Sequence, residues 1–321
     1  MDPYQKERGV KPELSVIIIS FNTCELLKEC LHHLEKVCKG INYETIVVDN
    51  GSKDHSYEMV KRDFPLVKAI QTKNNVGFGP ANNVGFKLAL GDYFLLLNSD
   101  AFPQEGTIQE GLKRMRTDQK IGYGGCRLTN PDGSFQPSAR LFPTFLNIFL
   151  EQSGLAERYG HSKFFGRYNR TWDNPHSTAE VDWIPGAFVM VPKRVIAQVG
   201  GFDERFFLYF EEVDLCRRIK AAGYKVVYWG DLSAIHLGGQ SSANSRTELW
   251  RLRTLYLYAY KHGGSVYAWL WKQFGLNWHR LRKLKNYNNN PKKACSENEI
   301  KLIQQAWNDT KGGKFSPPAP W

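Results

Sequence analysis

Leu14-Ser-Val-Ile-Ile-Ile-Ser20 is a short, β-branched apolar run that ends on a hydroxyl. A run of this length, apolar on both faces, has the pattern of a parallel strand buried between helices. Working outward, Leu26, Leu27, Leu31, Leu34 and Val37 recur at helical spacing over residues 25–37, and residues 44–49 repeat the strand pattern and end on Asp49. A helix is expected from about 54 to 63 and a third strand over 67–72. Pro80 is placed to open a helix reaching about Leu90, and Tyr93 to Leu97 make a fourth strand that runs into Asn98-Ser99-Asp100. This alternation predicts an α/β domain with a largely parallel sheet, whose ligands bind beyond the carboxyl ends of the strands.

The pattern is less regular after Thr107, and the stretch from Asn130 to Trp183, with Pro131, Pro137, Pro143 and Pro175, reads as covering loops with short helices. Regularity returns at Trp183 to Val191, in a helix expected over 211–222 and stopped by Gly223, and in a last strand over 224–229 with His236 beyond it. The segment after the first strand, Ser20-Phe21-Asn22-Thr23, has no glycine, which excludes a dinucleotide fingerprint. Gly77-Phe78-Gly79 lacks the Gly-Lys-Ser/Thr of a phosphate-binding loop. The first dozen residues are polar, without the apolar stretch of a signal peptide, and no apolar run approaches the roughly 18–20 residues of a spanning helix. Six cysteines without a Cys-x-x-Cys pair read as reduced thiols of a cytosolic protein.

The chain has 321 residues and a net charge of +11, unevenly spread. From Arg246 to Lys293 there are eleven cations against one acid, Glu248, interleaved with Trp250, Tyr256, Tyr258, Tyr260, Tyr267, Trp269, Trp271, Phe274 and Trp278. Three partners fit that segment taken alone: anionic lipid headgroups, a nucleic acid, or the main domain, with the rings packed and the charges solvated.

Several motifs stand in order along the chain: Ser20-Phe21-Asn22; Val48-Asp49-Asn50-Gly51-Ser52; Asn75-Val-Gly-Phe-Gly-Pro-Ala-Asn82; Leu97-Asn98-Ser99-Asp100; Gly200-Gly-Phe-Asp-Glu204; Glu211-Glu212-Val213-Asp214; and His236. Together they resemble glycosyltransferase family two, in particular its rhamnosyltransferase-like members that build bacterial surface polysaccharides, over roughly Leu14 to Ser242. The resemblance implies a GT-A fold, a nucleoside-diphosphate sugar donor, a divalent metal (Mn2+ or Mg2+) and inversion at the anomeric carbon. It divides the chain into a tail (1–12), a GT-A domain (13–242) and a basic, aromatic helical extension (243–321).

Carried over residue by residue, the resemblance assigns Ser20, Asn22, Asp49, Asn75, Gly77, Asn82, Asn98, Ser99 and Asp100 to the nucleotide sugar, with Asp49 on the base. Asp100 and His236 would hold the metal; Asn98 replaces the first carboxylate of the family's Asp-x-Asp. Glu211 and Glu212 match the acidic pair, the second being the general base, where the family commonly has Asp. Trp183, Gly186, Ala187, Asp203 and Glu204 would shape the acceptor and sugar pockets. The residues alone leave other roles open: Asp49 and Asn98-Ser99-Asp100 suit turns, the acidic pair suits a helix N-terminus, and a single histidine suits a structural role.

For the donor, dTDP-rhamnose leads and a UDP-sugar is second; the acceptor is a saccharide or lipid-linked saccharide. The expected location is cytoplasmic, peripheral on the anionic inner face of the cell membrane, and a homo-oligomer is left open. The competing reading is a non-catalytic α/β module whose basic tail binds nucleic acid. Retention of Asp100, the acidic pair and His236 together counts against it.

Overall fold

The computed structural model describes residues 10–238, 245–289 and 297–313. The described residues form two compact units: residues 10–203 with 212–238, and residues 204–211 with 245–289 and 297–313. The boundary expected at 242, the first nine residues and Cys295 lie outside the described residues.

In the first unit the alternation expected from the sequence forms β1 (Leu14–Ser20), α1 (Cys24–Val37), β2 (Tyr43–Asp49), α2 (Ser56–Asp63), β3 (Lys68–Gln71), α3 (Phe78–Leu88) and β4 (Tyr93–Asn98). These strands pair in parallel in the order β3-β2-β1-β4. Their register sets Ser20 opposite Asp49, Asp49 opposite Gln71 and Ile19 opposite Asn98, so the polar strand ends share one sheet edge. Leu14, Val16 and Ile18 of β1 are fully buried in one core with Leu27, Leu31 and Leu34 of α1; each such side chain contributes about 1.5–3 kcal/mol. Pro80 is the third residue of α3, not the first, because Gly77 (φ 96°) turns the chain into the helix at Phe78. Proline is still tolerated there, since a first-turn N–H has no intrahelical acceptor.

The chain continues through β5 (Ala101–Pro103), α4 (Thr107–Thr117), β6 (Ile121–Thr129), β7 (Phe135–Gln136), α5 (Phe145–Gln152), α6 (Leu155–Arg158), β8 (Ala179–Glu180), β9 (Phe188–Pro192), α7 (Lys193–Val199), α8 (Glu211–Ala221) and β10 (Lys225–His236). The sheet runs on from β4 through β9, β6 and β10 to β5, and β9 is antiparallel to both its neighbours. β6 carried no strand signal because Gly122, Gly124 and Gly125 interrupt its apolar run. The interruption is a packing requirement: a Cβ on Gly124 would sit 2.3 Å from the Trp229 ring.

β10 is longer than the sequence suggests. It pairs in parallel with β6, breaks register between Trp229 and Ser233, then runs on to pair antiparallel with β5, with His236 opposite Ala101. His236 is thus the last residue of the strand. The irregular Gly230-Asp231 segment hid this continuation, and Gly230 is needed there because a Cβ would meet the His176 backbone at 2.5 Å.

The second unit consists of α9 (Ser245–Asn289), broken at Gly264 (φ 75°), and α10 (Glu297–Thr310), followed by a short 3-10 turn. Trp250, Tyr256, Tyr258, Trp271 and Trp307 are buried. Tyr256 meets Trp307 edge-on at 5.8 Å, Phe207 stacks on Trp250 at 4.4 Å, and the Lys272 ammonium lies 4.9 Å over the Trp307 ring. Of the nine Trp, Tyr and Phe rings from 250 to 278, four are buried, four half-buried and only Trp269 exposed. Val266, Trp269 and Leu270 differ, being 71%, 48% and 42% exposed.

Candidate active site

Three groups of side chains meet at the carboxyl edge of β1, β2 and β4. Ser20 Oγ lies 3.0 Å from Thr23 Oγ1, which lies 3.0 Å from Ser99 Oγ, so a chain of hydroxyls joins the end of β1 to the turn after β4. Asn22, held at φ 55°, accepts from the Lys53 amide through Oδ1 (2.8 Å), while its own N–H donates to Ser52 Oγ (2.9 Å). These bonds tie the β1 and β2 exit loops together.

Asn50 organises the second group. Its Nδ2 donates to Asn75 Oδ1 (3.0 Å) and to the Gly77 carbonyl (3.2 Å), and its Oδ1 accepts from the Val76 amide (2.9 Å). Asn75 Oδ1 also accepts from the Gly77 amide (2.9 Å). Gly51 is required beneath this loop, because a Cβ there would lie 2.8 Å from the Asn74 backbone. Asp49 is wholly buried under the same assembly; its Oδ1 accepts from the Ser52 amide and Gln71, and its Oδ2 has no hydrogen-bond partner. An unpaired buried carboxylate oxygen costs free energy and would suit an incoming N–H donor. Both the turn-capping role and room for a base-binding role are thus present in one side chain. Asn82 is similar: its Nδ2 donates to the Phe78 carbonyl, and its buried Oδ1 has no partner.

The third group joins residues far apart in sequence. The pairing of β10 with β5 brings His236 Nε2 to 3.4 Å from Asp100 Oδ1 and 3.3 Å from Asn98 Nδ2. His236 Nδ1 lies 2.9 Å from Gln136 Oε1, an atom that can only accept, so Nδ1 carries the proton. In the neutral ring the Nε2 lone pair then faces the Asp100 carboxylate. Two acceptors converging at 3.4 Å call for a cation between or beside them, and imidazole nitrogen with carboxylate oxygen is a donor set that suits Mn2+. The Asp100 carboxyl is held below its ordinary value: burial raises it, but His236, when its ring is protonated on both nitrogens, outweighs that together with nearby backbone N–H groups. Among the described residues no cluster of three or more His, Cys, Asp or Glu side chains is present, so these two protein ligands would need oxygens of the donor or water to complete a shell.

The pocket-shaping residues divide. Asn83 Nδ2 donates to the Phe202 carbonyl and its Oδ1 accepts from the Phe202 amide, both at 2.8 Å, and Arg218 donates to the Gly201 carbonyl (2.7 Å), so the loop leading to Asp203 is fixed. The Ala187 carbonyl accepts from the Asn98 amide (3.0 Å), and Gly186 lies under the Phe78 ring, where a Cβ would approach to 3.0 Å. Trp183 is buried, its Nε1–H donates to the Leu141 carbonyl (2.8 Å), and the Arg140 guanidinium covers its ring. Its polar atom is thereby committed, which leaves Trp183 the role of an apolar wall. Glu204 is exposed and belongs to the second unit. Glu211 is buried and Glu212 half-buried at the start of α8, directly after Tyr209 and Phe210, both with φ near 67° (68° and 66°). Two consecutive non-glycine residues in the left-handed region cost about 1–3 kcal/mol each, so the chain spends stability to set the entry angle of the acidic pair. Asp214, wholly buried, and Arg218 form an i,i+4 ion pair at 2.8 Å.

Residues 15–173 match the family model described as glycosyl transferase family 2. The chain belongs to this family. An N-acetylglucosaminyl-diphospho-decaprenol L-rhamnosyltransferase of Mycobacterium tuberculosis is 28% identical over 221 residues, covering 64% of this chain and 71% of that protein. Rhamnosyltransferase WbbL of Escherichia coli is 25% identical over 257 residues, covering 76% of this chain and 91% of its own. Among solved structures, mannosyltransferase PcManGT from Pyrobaculum calidifontis, in complex with GDP-Man and Mn2+, superposes with a TM-score of 0.54 at 16% identity, covering 97% of this chain and 78% of that one. The fold is GT-A, and this family 2 glycosyltransferase carries it with a helical C-terminal region. Four residues that organise its candidate site, Thr23, Asn50, Asn83 and Gln136, were not singled out from sequence. Asn50 stood inside a quoted motif and Asn83 next to one, whereas Gln136 acts through a strand pairing that no local pattern announces.

Proposed function

We propose that this glycosyltransferase moves a rhamnose-like sugar from a nucleoside diphosphate to a hydroxyl of a saccharide or lipid-linked saccharide, in one inverting displacement, for cell-surface polysaccharide synthesis. The observation that carries the reading is the convergence of Asp100 Oδ1 and His236 Nε2 at 3.4 Å on the sheet edge where β1, β2 and β4 end. Asp100 and His236 would hold Mn2+ or Mg2+, whose charge, when bound, offsets that of the departing diphosphate. Asp49 offers its unpaired carboxylate oxygen to a base N–H, and the hydroxyls of Ser20 and Ser99 with Asn22, Asn75, Gly77, Asn82 and Asn98 line the donor. The acceptor oxygen attacks the anomeric carbon as the bond to the diphosphate oxygen breaks. Glu212, with Glu211 beside it, takes the acceptor proton, and the nucleotide leaves with the bonding electrons. Trp183, Gly186, Ala187 and Asp203 shape the sugar and acceptor pockets, and Glu204 is assigned to them by its motif alone.

The names of the two rhamnosyltransferase relatives favour rhamnose as the sugar moved, and the first relative's name favours a lipid-linked acceptor; as donor we propose dTDP-rhamnose, with a UDP-sugar second. We assign chemistry to residues 13–242 and docking to 243–321, the segment that holds most of the net charge. No described helix is long and apolar enough to cross a membrane. The uncovered Val266, Trp269 and Leu270, at i, i+3 and i+4 within a basic segment, support docking in the plane of an anionic membrane, on its cytoplasmic face. The nucleic-acid alternative needs rings free to stack on bases, and of the nine Trp, Tyr and Phe rings from 250 to 278 only Trp269 is exposed.

The test is a panel of nucleotide sugars screened by thermal shift with and without Mn2+, followed by a transfer assay on the donor that stabilises. A bound donor raises the midpoint by mass action. A metal-dependent shift with dTDP-rhamnose is expected. A panel with no stabilising nucleotide sugar sinks the reading.

A further inference from the structure

We propose that Gln136 is a positioning residue for the metal site: it fixes the tautomer of His236 so that Nε2, rather than Nδ1, offers its lone pair beside Asp100. The consequence for metal binding rests on the reading above; the tautomer itself does not.

The lock begins in a turn. Asn130-Pro-Asp-Gly-Ser134 connects β6 to β7, with Gly133 at φ 82° and Asp132 Oδ1 accepting from both the amide (2.9 Å) and the hydroxyl (2.6 Å) of Ser134. β7 is only two residues long, yet its pairing with β6 sets Gln136 opposite Leu128. Gln136 Nε2 donates to the His236 carbonyl at 2.7 Å and to Asn130 Oδ1 at 2.5 Å. A backbone carbonyl can only accept, so the amide end facing it must be the nitrogen, which leaves Oε1 facing His236 Nδ1 at 2.9 Å. Nδ1 must then be the protonated nitrogen. Asn98 Nδ2, 3.3 Å from Nε2, donates toward the same lone pair and favours the same tautomer.

The alternative tautomer would carry its proton on Nε2 and donate it to Asp100, closing the pair on itself. Gln136 makes that arrangement costly by leaving Nδ1 without a proton to give to Oε1, so the Nε2 lone pair and Asp100 Oδ1 both stay open where a cation binds. A residue outside the catalytic motifs thereby decides whether Asp100 and His236 form a ligand pair or an internal hydrogen bond. Partners of this kind orient metal-binding histidines, and their loss typically costs about 10–100-fold in metal affinity.

The experiment uses the full chain labelled with 15N-histidine, free of metal, at alkaline pH where the imidazole is neutral. Long-range 1H–15N spectra report which ring nitrogen bears the proton. Wild type should show His236 protonated on Nδ1. Gln136→Leu should move the proton largely to Nε2, while Gln136→Glu, which keeps an acceptor at Nδ1, should retain the wild-type tautomer. Mn2+ titration followed by the free-ion EPR signal should show about 10–100-fold weaker binding for Gln136→Leu, with Gln136→Glu much closer to wild type. A His236 protonated on Nε2 in wild type, or a tautomer unchanged by Gln136→Leu, overturns the proposal. So does equal Mn2+ affinity in Gln136→Leu and wild type. A tautomer that responds as expected in a protein that binds no Mn2+ supports the role of Gln136 and overturns the metal reading instead. Gln136→Glu carries the tautomer test if Gln136→Leu does not fold: loss of the Nδ1 proton in that variant counts against the proposal.

Discussion

Asn83 grips the backbone of Phe202 from both sides, donating to its carbonyl and accepting from its amide at 2.8 Å each. Phe202 in turn stacks on Phe86 with ring planes 2° apart, so one face of α3 fixes the loop that delivers Asp203. Replacing Asn83 by Ala removes two side-chain bonds and leaves two half-buried backbone groups to find other partners. The expected loss is about 1–3 kcal/mol in urea unfolding, together with a raised donor KM. Wild-type stability in that variant would show the clamp to be incidental.

Gly201→Ala probes the same junction from the other side. A Cβ at Gly201 would approach Asn83 Oδ1 to 2.3 Å, so this small substitution should destabilise by an amount similar to Asn83→Ala. The double variant should cost clearly less than the sum, because both changes break one interaction. Additive losses in a double-mutant cycle would contradict the shared clamp.

The chemical roles separate by what each variant loses. Asp100→Asn should weaken Mn2+ binding and transfer together, and chelation should abolish transfer in a way that added Mn2+ restores. Glu212→Gln should keep donor-induced stabilisation while lowering kcat by about 10²–10⁴-fold. Retention of normal turnover by Glu212→Gln removes it from the role of base.

Much of this was legible in the chain because the information was local. Buried parallel strands read as continuous apolar runs, and β1, β2 and β4 end on Ser20, Asp49 and Asn98, so the sheet edge could be drawn from the motifs. What could not be read came from pairing between distant segments. β6 hides behind glycines that make room for the Trp229 ring, and β10 hides its second half behind the break at Gly230-Asp231. That second half places His236 beside Asp100, so the motif order indicated both residues while only the sheet topology explains why they meet. The basic segment read alone left its rings open between a lipid surface, a nucleic acid and packing on the main domain; Trp250, Tyr256, Tyr258 and Trp271 are buried, and of the nine rings only Trp269 is exposed.

The irregular part of β10 is held by an ion pair whose pH dependence is predictable. Asp231 accepts from Arg114 through both terminal nitrogens (2.9 and 2.5 Å) and from Thr178 (2.9 Å), and the Arg114 bonds above all hold its carboxyl down to about 2. Because the folded value lies below the unfolded one near 3.9, the stabilisation is complete above that value and is lost as pH falls from about 4 toward 2. The pair is half exposed, so solvent screening limits it to about 1 kcal/mol or less. Asp231→Asn should therefore be slightly less stable than wild type at neutral pH, with the difference shrinking toward zero at acid pH. Urea midpoints across that range measure it, and a pH-independent difference would assign the effect to something other than the charge.

Trp269 tests the docking surface. It is 48% exposed between Val266 and Leu270 on the helix that restarts after Gly264, whereas Trp250 and Trp271 of the same segment are buried. An exposed indole flanked by two exposed aliphatic residues gains little in water and much at a headgroup boundary, where ring and backbone-proximal apolar surface leave the aqueous phase together. Loss of one such ring amounts to roughly 1.5–3 kcal/mol of burial, or about 10–100-fold in affinity. Trp269→Glu also adds a negative charge facing anionic headgroups, so its loss should reach at least the lower bound. Because the ring is not part of the core of the helical unit, the melting temperature should hold. Cosedimentation with vesicles containing anionic lipid, across a salt series, should show the weakened binding, and an oligonucleotide titration of the same two proteins should show no comparable change. Equal vesicle binding by wild type and Trp269→Glu removes this face from the interface. A loss of oligonucleotide binding instead would return the segment to the nucleic-acid reading.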